Sequence, residues 1–286
     1  MSKKKIFLWV GASVLALLVI VGIVVAGNTV HKSNQANEAK DAYSDAYNKA
    51  DKGNYDSTKK LKDKADEIEK SGSKADKKAL EDARKGKTSE SGSGKGQGKN
   101  SDKDADNSLL SKVYPNKKDV YGKYNGINRA SLDDVRDFMD GKDGTKGQYQ
   151  RVLNNYSTGS INMPSIGTKL PIVEGTSNQH LLSGATTFRP GQSITHGNYV
   201  LLGHNVGYQG MLFSSVPNLK KGDKITVNSY AHGKMMQQKY KVTEKKTVKS
   251  SHGQVLDDSN ERKLTLITCD VPRQTPNRVV VTAKPV

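Results

Sequence analysis

Ser160–Gly175 reads SINMPSIGTKLPIVEG. Two short apolar, β-branched runs, INMP and KLPIV, are parted by a turn signal around Gly167. Pro164 and Pro171 fall at strand starts or edges, where a missing N–H does little harm. The same pattern continues to the C-terminus in NYVLLG, DKITVNS, MMQQKYKVTE, KLTLITC and RVVVTA, with turn-forming clusters such as GTSNQ, FRPGQS and KKGD between them. Many short strands separated by Gly/Pro/Ser/Asn clusters predict an all-β barrel or sandwich. The expected fold is mostly β, a closed barrel beginning at about residue 160.

Upstream of the strands the period changes from two to about 3.6. Ser131 precedes LDDVRDFMDG. Asp134 stands three residues on, as in a capping box, and Leu132, Val135, Phe138 and Met139 share one face. Tyr149, Val152, Leu153 and Tyr156 repeat the pattern before Ser157. Two short helices on the N-terminal side of the barrel are therefore expected, their apolar faces packed on the domain.

Further upstream, residues 28–108 carry 18 basic and 16 acidic side chains and almost no large apolar ones. Such a composition cannot bury enough surface to offset its ordering entropy, and the segment is expected to be a solvated stalk. Ala36, Ala39, Tyr43, Ala46 and Ala50 recur at helical spacing, as do Leu61, Ala65 and Ile68, so single helices broken at Gly53 and at residues 71–73 fit within it. Residues 6–27 contain no charge and follow Lys3, Lys4 and Lys5. At about 1.5 Å per residue this run makes a helix of roughly 33 Å, enough for a ~30 Å hydrocarbon core. It exceeds the apolar core of a cleaved signal peptide. An uncleaved single-pass membrane anchor is expected, with residues 1–5 inside and the rest of the chain outside the cell. Residues 109–286 are then one folded domain.

That domain holds 25 basic and 13 acidic side chains, +12 of the chain's net +17. Outside a membrane, such a surface meets anionic wall polymers and lipid headgroups. Nucleic acid is not an expected partner, because no basic-aromatic platform or zinc-finger spacing is present. No metal ligand set, phosphate-binding glycine loop or serine nucleophile elbow is spaced in the chain.

Cys269, at the end of KLTLITCD, is the chain's one cysteine. Outside the cytoplasm an odd thiol is either a buried structural residue or a reactive group. Alternation places Leu264, Leu266 and Thr268 on one face of the strand and Thr265, Ile267 and Cys269 on the other. A thiol nucleophile needs a base or cation nearby. Of the six histidines, His204 directly follows the run NYVLLG, at a strand end. His180, His196, His232 and His252 lie in polar or Gly-rich loops and read as surface residues, and His31 lies in the stalk. Arg278 opens the last strand nine residues past Cys269, so a hairpin would return it near the thiol. Arg273, inside the intervening loop, is its competitor.

TLITC at 265–269, GHN at 203–205 and an arginine opening the next strand together resemble the sortases, membrane-anchored cysteine transpeptidases of Gram-positive bacteria. The resemblance runs from about Ser160 to Val286. With one N-terminal anchor it points to class A, the housekeeping group. It implies an eight-stranded barrel and catalytic roles for Cys269, His204 and Arg278. It further implies substrate contacts from Thr268 and the segment Thr247–Arg262. The implied substrates are secreted proteins with a C-terminal LPxTG-type signal. These are cut between Thr and Gly through a thioacyl intermediate and joined to the amine of a peptidoglycan precursor. No cofactor is implied. Calcium stimulation, known in some class A members, finds no matching acidic set beyond Glu174. The alternatives are a sortase of another class with a narrower substrate set, or a non-catalytic, membrane-tethered β-domain that binds wall polymers.

Overall fold

The computed structural model describes residues 3–74, 77, 130–142, 144–189, 192–231 and 234–286, with side chains from residue 25 onward. Its centre is a closed barrel of eight strands. These are β1 (Ser157–Met163), β2 (Thr168–Val173), β3 (Ala185–Thr187), β4 (Asn198–Leu202), β5 (Lys224–Ala231), β6 (Lys234–Lys249), β7 (Lys263–Cys269) and β8 (Asn277–Pro285). Around the barrel they run β1-β2-β3-β4-β7-β8-β6-β5. Two neighbouring pairs are parallel, β2 with β3 and β4 with β7. The others are antiparallel.

Inward positions fill the barrel at period two. Ile161, Met163, Leu170, Ile172, Tyr199, Leu201, Ile225, Val227, Leu264, Leu266 and Val281 are at most 1% exposed and belong to one core cluster. Burying a side chain of this size contributes about 1.5–3 kcal/mol. On β4, β7 and β8 the outer face is buried too. Val200, Leu202, Ile267 and Val280 form a second apolar cluster there, joined by Leu181. Those strands therefore read as near-continuous apolar runs.

Three strand features depart from the expectation. LLSGATTF at 181–188, which is not among the runs read as strands, lies in helix α5 (Asn178–Ser183, fifth in chain order) and then β3. The pair β2–β3 is parallel, so the chain needs a crossover between them, and this helix supplies it. β1 starts at Ser157, four residues before the INMP run. β6 runs five residues past Glu244, because this end pairs with β8 through backbone bonds while its lysines face water.

Helices α3 (Leu132–Asp140) and α4 (Gln148–Tyr156) stand where the periodicity puts them. Ser131 and Asp134 form the reciprocal capping box, and Leu132, Val135, Phe138, Tyr149, Val152 and Leu153 are buried.

The solvated stalk does not hold for residues 36–68. Helix α1 (Lys3–Asp51) and helix α2 (Asp56–Ser71) pack on the barrel and on α3 and α4. Ala36, Ala39, Tyr43, Ala46 and Ala50 are all within 4% exposure. Their spacing of three and four residues makes a narrow seam in which alanines let the helix approach closely. Specific bonds reinforce it. Tyr43 Oη donates to Leu182 O at 2.6 Å and Ser57 Oγ to Ser157 O at 2.6 Å. Asp51 accepts from Ser160 Oγ at 2.6 Å and from Asn228 Nδ2, bridging β1 and β5. A low apolar content hid a sufficient apolar stripe.

Among the described residues no helix is long and apolar enough to cross a membrane. The anchor expected at residues 6–27 lies within α1, and its residues 6–24 fall outside the described side chains. Residues 78–108 of the expected stalk also lie outside the described residues.

Candidate active site

β7 carries Cys269 to its last position, and β8 returns antiparallel with Arg278 directly opposite Cys269. Directly opposed residues project on the same face, with Cβ atoms about 4.5–5.5 Å apart. The hairpin loop between them is braced by Asn277 Nδ2 donating to Asp270 Oδ2 at 3.1 Å. Arg278 is 7% exposed, and its Nη1 donates to the carbonyls of Thr275 and Asn277, both at 2.8 Å. Its Nε finds no hydrogen-bond partner. Arg273 stays exposed in the loop. The register separates the two arginines that the sequence left in competition.

On the other side of β7 lies β4, with Leu202 paired to Ile267 in parallel register. Gly203 N continues the ladder to Ile267 O at 3.2 Å. Two residues further along each strand, His204 comes abreast of Cys269. Neighbouring strands lie about 4.8 Å apart. His204, Cys269 and Arg278 thus head three adjacent strands at one end of the barrel.

The turn at His204 is tightly determined. Thr268 Oγ1 donates to Gly203 O at 2.8 Å, and Asn205 Nδ2 donates to Cys269 O at 3.1 Å. A Cβ at Gly203 would lie 2.5 Å from Phe213 Cγ, so no side chain fits there. Phe213 N donates to His204 O at 2.9 Å. Beside it Leu212 has φ 43°, the one non-glycine residue with positive φ among those described. Holding a leucine there costs of order 1–3 kcal/mol, and the fully buried Met211 and Phe213 on either side hold it in place.

His204 is 1% exposed and its Nε2 has no hydrogen-bond partner. Burial lowers its pKa to about 4, opposed by the nearby Asp134 carboxylate. Burial also raises the Cys269 thiol above its ordinary value; Arg278 opposes the rise and Asp270 adds to it. The resting pair at neutral pH is therefore thiol and neutral imidazole, not an ion pair. Buried polar groups almost always find partners. Two unpartnered donors or acceptors flanking one thiol mark a place where a further group would bond.

The second apolar cluster lies on the same face as Cys269. Val200, Leu202, Ile267 and Val280 form its floor, and Leu181, Phe188, Val248, Val255 and Leu256 surround it. Alternation had grouped Ile267 with Cys269, but the other members come from distant segments that no spacing connects. Val255 and Leu256 sit in a 3-10 turn, Gly253–Leu256, within the segment expected to contact substrate. Thr268, expected to contact substrate, is the next-to-last residue of β7. It is wholly buried, facing the interior with Leu264 and Leu266, and its hydroxyl is committed to Gly203. It braces the turn before His204.

His180, read as a surface residue, is 5% exposed. Its Nδ1 bonds Glu174 O at 2.6 Å, and burial lowers its pKa to about 4. His252 is exposed, His196 is half-buried, and His232 lies outside the described residues. No group of His, Cys, Asp or Glu that could hold a metal ion occurs among the described residues.

A family model described as Sortase domain matches residues 161–286. Sortase A of Listeria monocytogenes serovar 1/2a (strain ATCC BAA-679 / EGD-e) is 40% identical over 122 residues, 43% of this chain and 53% of that protein. Sortase A of Bacillus anthracis is 37% identical over 123 residues, 43% of this chain and 57% of that protein. Putative sortase YwpE of Bacillus subtilis (strain 168) is 32% identical over 93 residues, 32% of this chain and 87% of that protein. Among solved structures, L. monocytogenes sortase A is 37% identical with a TM-score of 0.42, covering 46% of this chain and 88% of that one. The chain spans about half the length of the Sortase A relatives it matches.

Proposed function

The chain belongs to the sortase family, and on that premise we propose that it is a class A, membrane-anchored cysteine transpeptidase acting on LPxTG-type sorting signals. The observation that carries this reading is the register that heads three adjacent strands with His204, Cys269 and Arg278, beside an apolar groove.

The chemistry follows from the protonation states. As Cys269 Sγ attacks the threonine carbonyl of the signal, its proton passes to His204, whose neutral ring has a lone pair to take it. A thioester C–S bond forms. The imidazolium then protonates the leaving amine as the Thr–Gly C–N bond breaks. In the second half the amine of a peptidoglycan precursor attacks the thioester, losing its proton to His204, and the thiol is restored. Arg278 lies opposite the sulfur with Nε free to donate, where it stabilises the developing oxyanion and holds the peptide. The apolar cluster accommodates the leucine and proline of the signal. Thr268 acts through the turn it braces.

The anchor at residues 6–27 places this chemistry outside the cell, with residues 1–5 inside. α1 is continuous from that run to Gln35 and Ala36, its first buried residues among those described. From residue 27 to Ala36 the helix rises about 14 Å, so the barrel is held close to the bilayer where a lipid-linked acceptor resides.

The test is transfer by the purified full-length protein in detergent. It is incubated with a library of signal peptides and candidate amines, and products are identified by mass spectrometry. A transpeptidase yields peptide cut after Thr and joined to an amine. Absence of cleavage across the library contradicts the reading.

A further inference from the structure

The loop between β6 and β7, SSHGQVLDDSNER, has little of its own to hold it. Its side chains are exposed or half-buried, and it contributes only Val255 and Leu256 to the apolar cluster. A segment so polar would ordinarily stay open, because ordering each residue costs about 1–2 kcal/mol of backbone entropy. Here three successive carbonyls are gripped from outside the loop. Asn198 Nδ2 donates to Val255 O at 3.2 Å and to Asp257 O at 2.9 Å. Arg189 Nη1 donates to Leu256 O.

The grip is itself fixed. Asn198 is 2% exposed, and Thr265 Oγ1 donates to its Oδ1 at 2.6 Å, which orients the amide with its NH2 toward the loop. Arg189 Nη2 donates to Asn198 O at 3.1 Å and lies 3.5 Å from Asp258 Oδ1. Asp258 Oδ1 also accepts from Asn198 N at 2.9 Å. A Cβ at Gly197 would lie 2.4 Å from that oxygen, so the approach requires glycine. None of these groups belongs to the His204–Cys269–Arg278 set. They act on the groove only through the position of Val255 and Leu256.

We infer that Asn198 and Arg189 are positioning residues that clip the β6–β7 loop against β4 and so preform one wall of the peptide groove before substrate arrives. The inference rests on the reading of the groove as the sorting-signal site. A preformed wall spares the peptide the cost of ordering the loop, so loss of the clip weakens peptide binding and leaves the chemical step intact.

The test compares Asn198→Ala and Arg189→Ala with the wild-type full-length chain. Losing one or two of these bonds is expected to raise KM for the signal peptide about tenfold, with kcat within about twofold. Hydrogen exchange should accelerate at the amides of residues 253–258 and stay unchanged along β7. The rate of Cys269 alkylation should also be unchanged. A KM that stays at the wild-type value while the loop exchanges faster overturns the inference, as does a fall in kcat at constant KM. If Asn198→Ala fails to fold, Asp258→Asn, at an exposed side chain, removes the ion pair to Arg189 and is read the same way. Failure of the wild type to cleave any signal peptide removes the functional reading, and this inference with it.

Discussion

The reactivity of Cys269 is set by a contest among neighbours that can be taken apart one side chain at a time. Burial raises the thiol, Asp270 raises it further, and Arg278 draws it down. Replacing Arg278 with glutamine removes the one stabilising charge, so the pH at which iodoacetamide alkylation of Cys269 becomes half-maximal should move upward. Arg278→Lys should move it less, and Arg273→Gln, out in the exposed loop, should leave it in place. Equal shifts for the two glutamine variants would contradict the register argument. The pairing of Cys269 with an arginine was legible as a hairpin of unknown register. What chose Arg278 over Arg273 is the direct opposition of positions 269 and 278, a tertiary fact that spacing alone does not contain. Asn205 is the converse case. It stood in plain sight within GHN, yet its bond to the Cys269 carbonyl depends on two segments 64 residues apart.

Among the elements, α1 changes most between sequence and structure. The alanine and tyrosine stripe was visible at its helical period, and only the charge around it argued for a solvated stalk. Small residues bury little area each but permit close approach, so a polar helix docks on a seam one aromatic deep. Tyr43 is the test of that docking. At 1% exposure and bonded to Leu182 O, its replacement by alanine should cost about 3 kcal/mol. The cost should show as faster limited proteolysis within α1 and a lower Tm of the full chain. Lys60→Ala, on the exposed side of α2, should change neither. A solvated stalk would make the two variants indistinguishable. β3 escaped notice for a different reason: a three-residue strand has no room for a period, and it exists because α5 delivers it to the edge of β2.

For the whole molecule, three buried groups shape stability against pH. His180 and His204 are held at about 4, whereas unfolded histidines titrate near 6.5. Between those values the unfolded chain binds protons the folded chain refuses, so stability is lost as pH falls from 6.5 toward 4. Glu174 runs the other way. Burial pushes it up to about 8, against a bond from Thr187, so the folded chain keeps a proton that the unfolded chain releases near 4.5. Stability from this group is lost as pH rises toward 8. Two histidines outweigh one glutamate below 6.5, and the glutamate acts without them above. Tm should peak near pH 6.5, and Glu174→Gln should flatten the alkaline limb; an unchanged limb would contradict this assignment. The barrel, its helices and the cysteine face were legible because each has a period. The groove walls and the burial of His180 and Glu174 were not, because they depend on segments whose positions are fixed by the closed sheet. The central claim, that Cys269 carries the acyl group, is tested most directly by intact-protein mass spectrometry of the chain mixed with an LPxTG peptide before any amine is added. The account predicts a peptide-sized adduct, mapped to Cys269 and discharged by hydroxylamine or an added amine, and no adduct in Cys269→Ala. Peptide cleavage that persists in Cys269→Ala would contradict it.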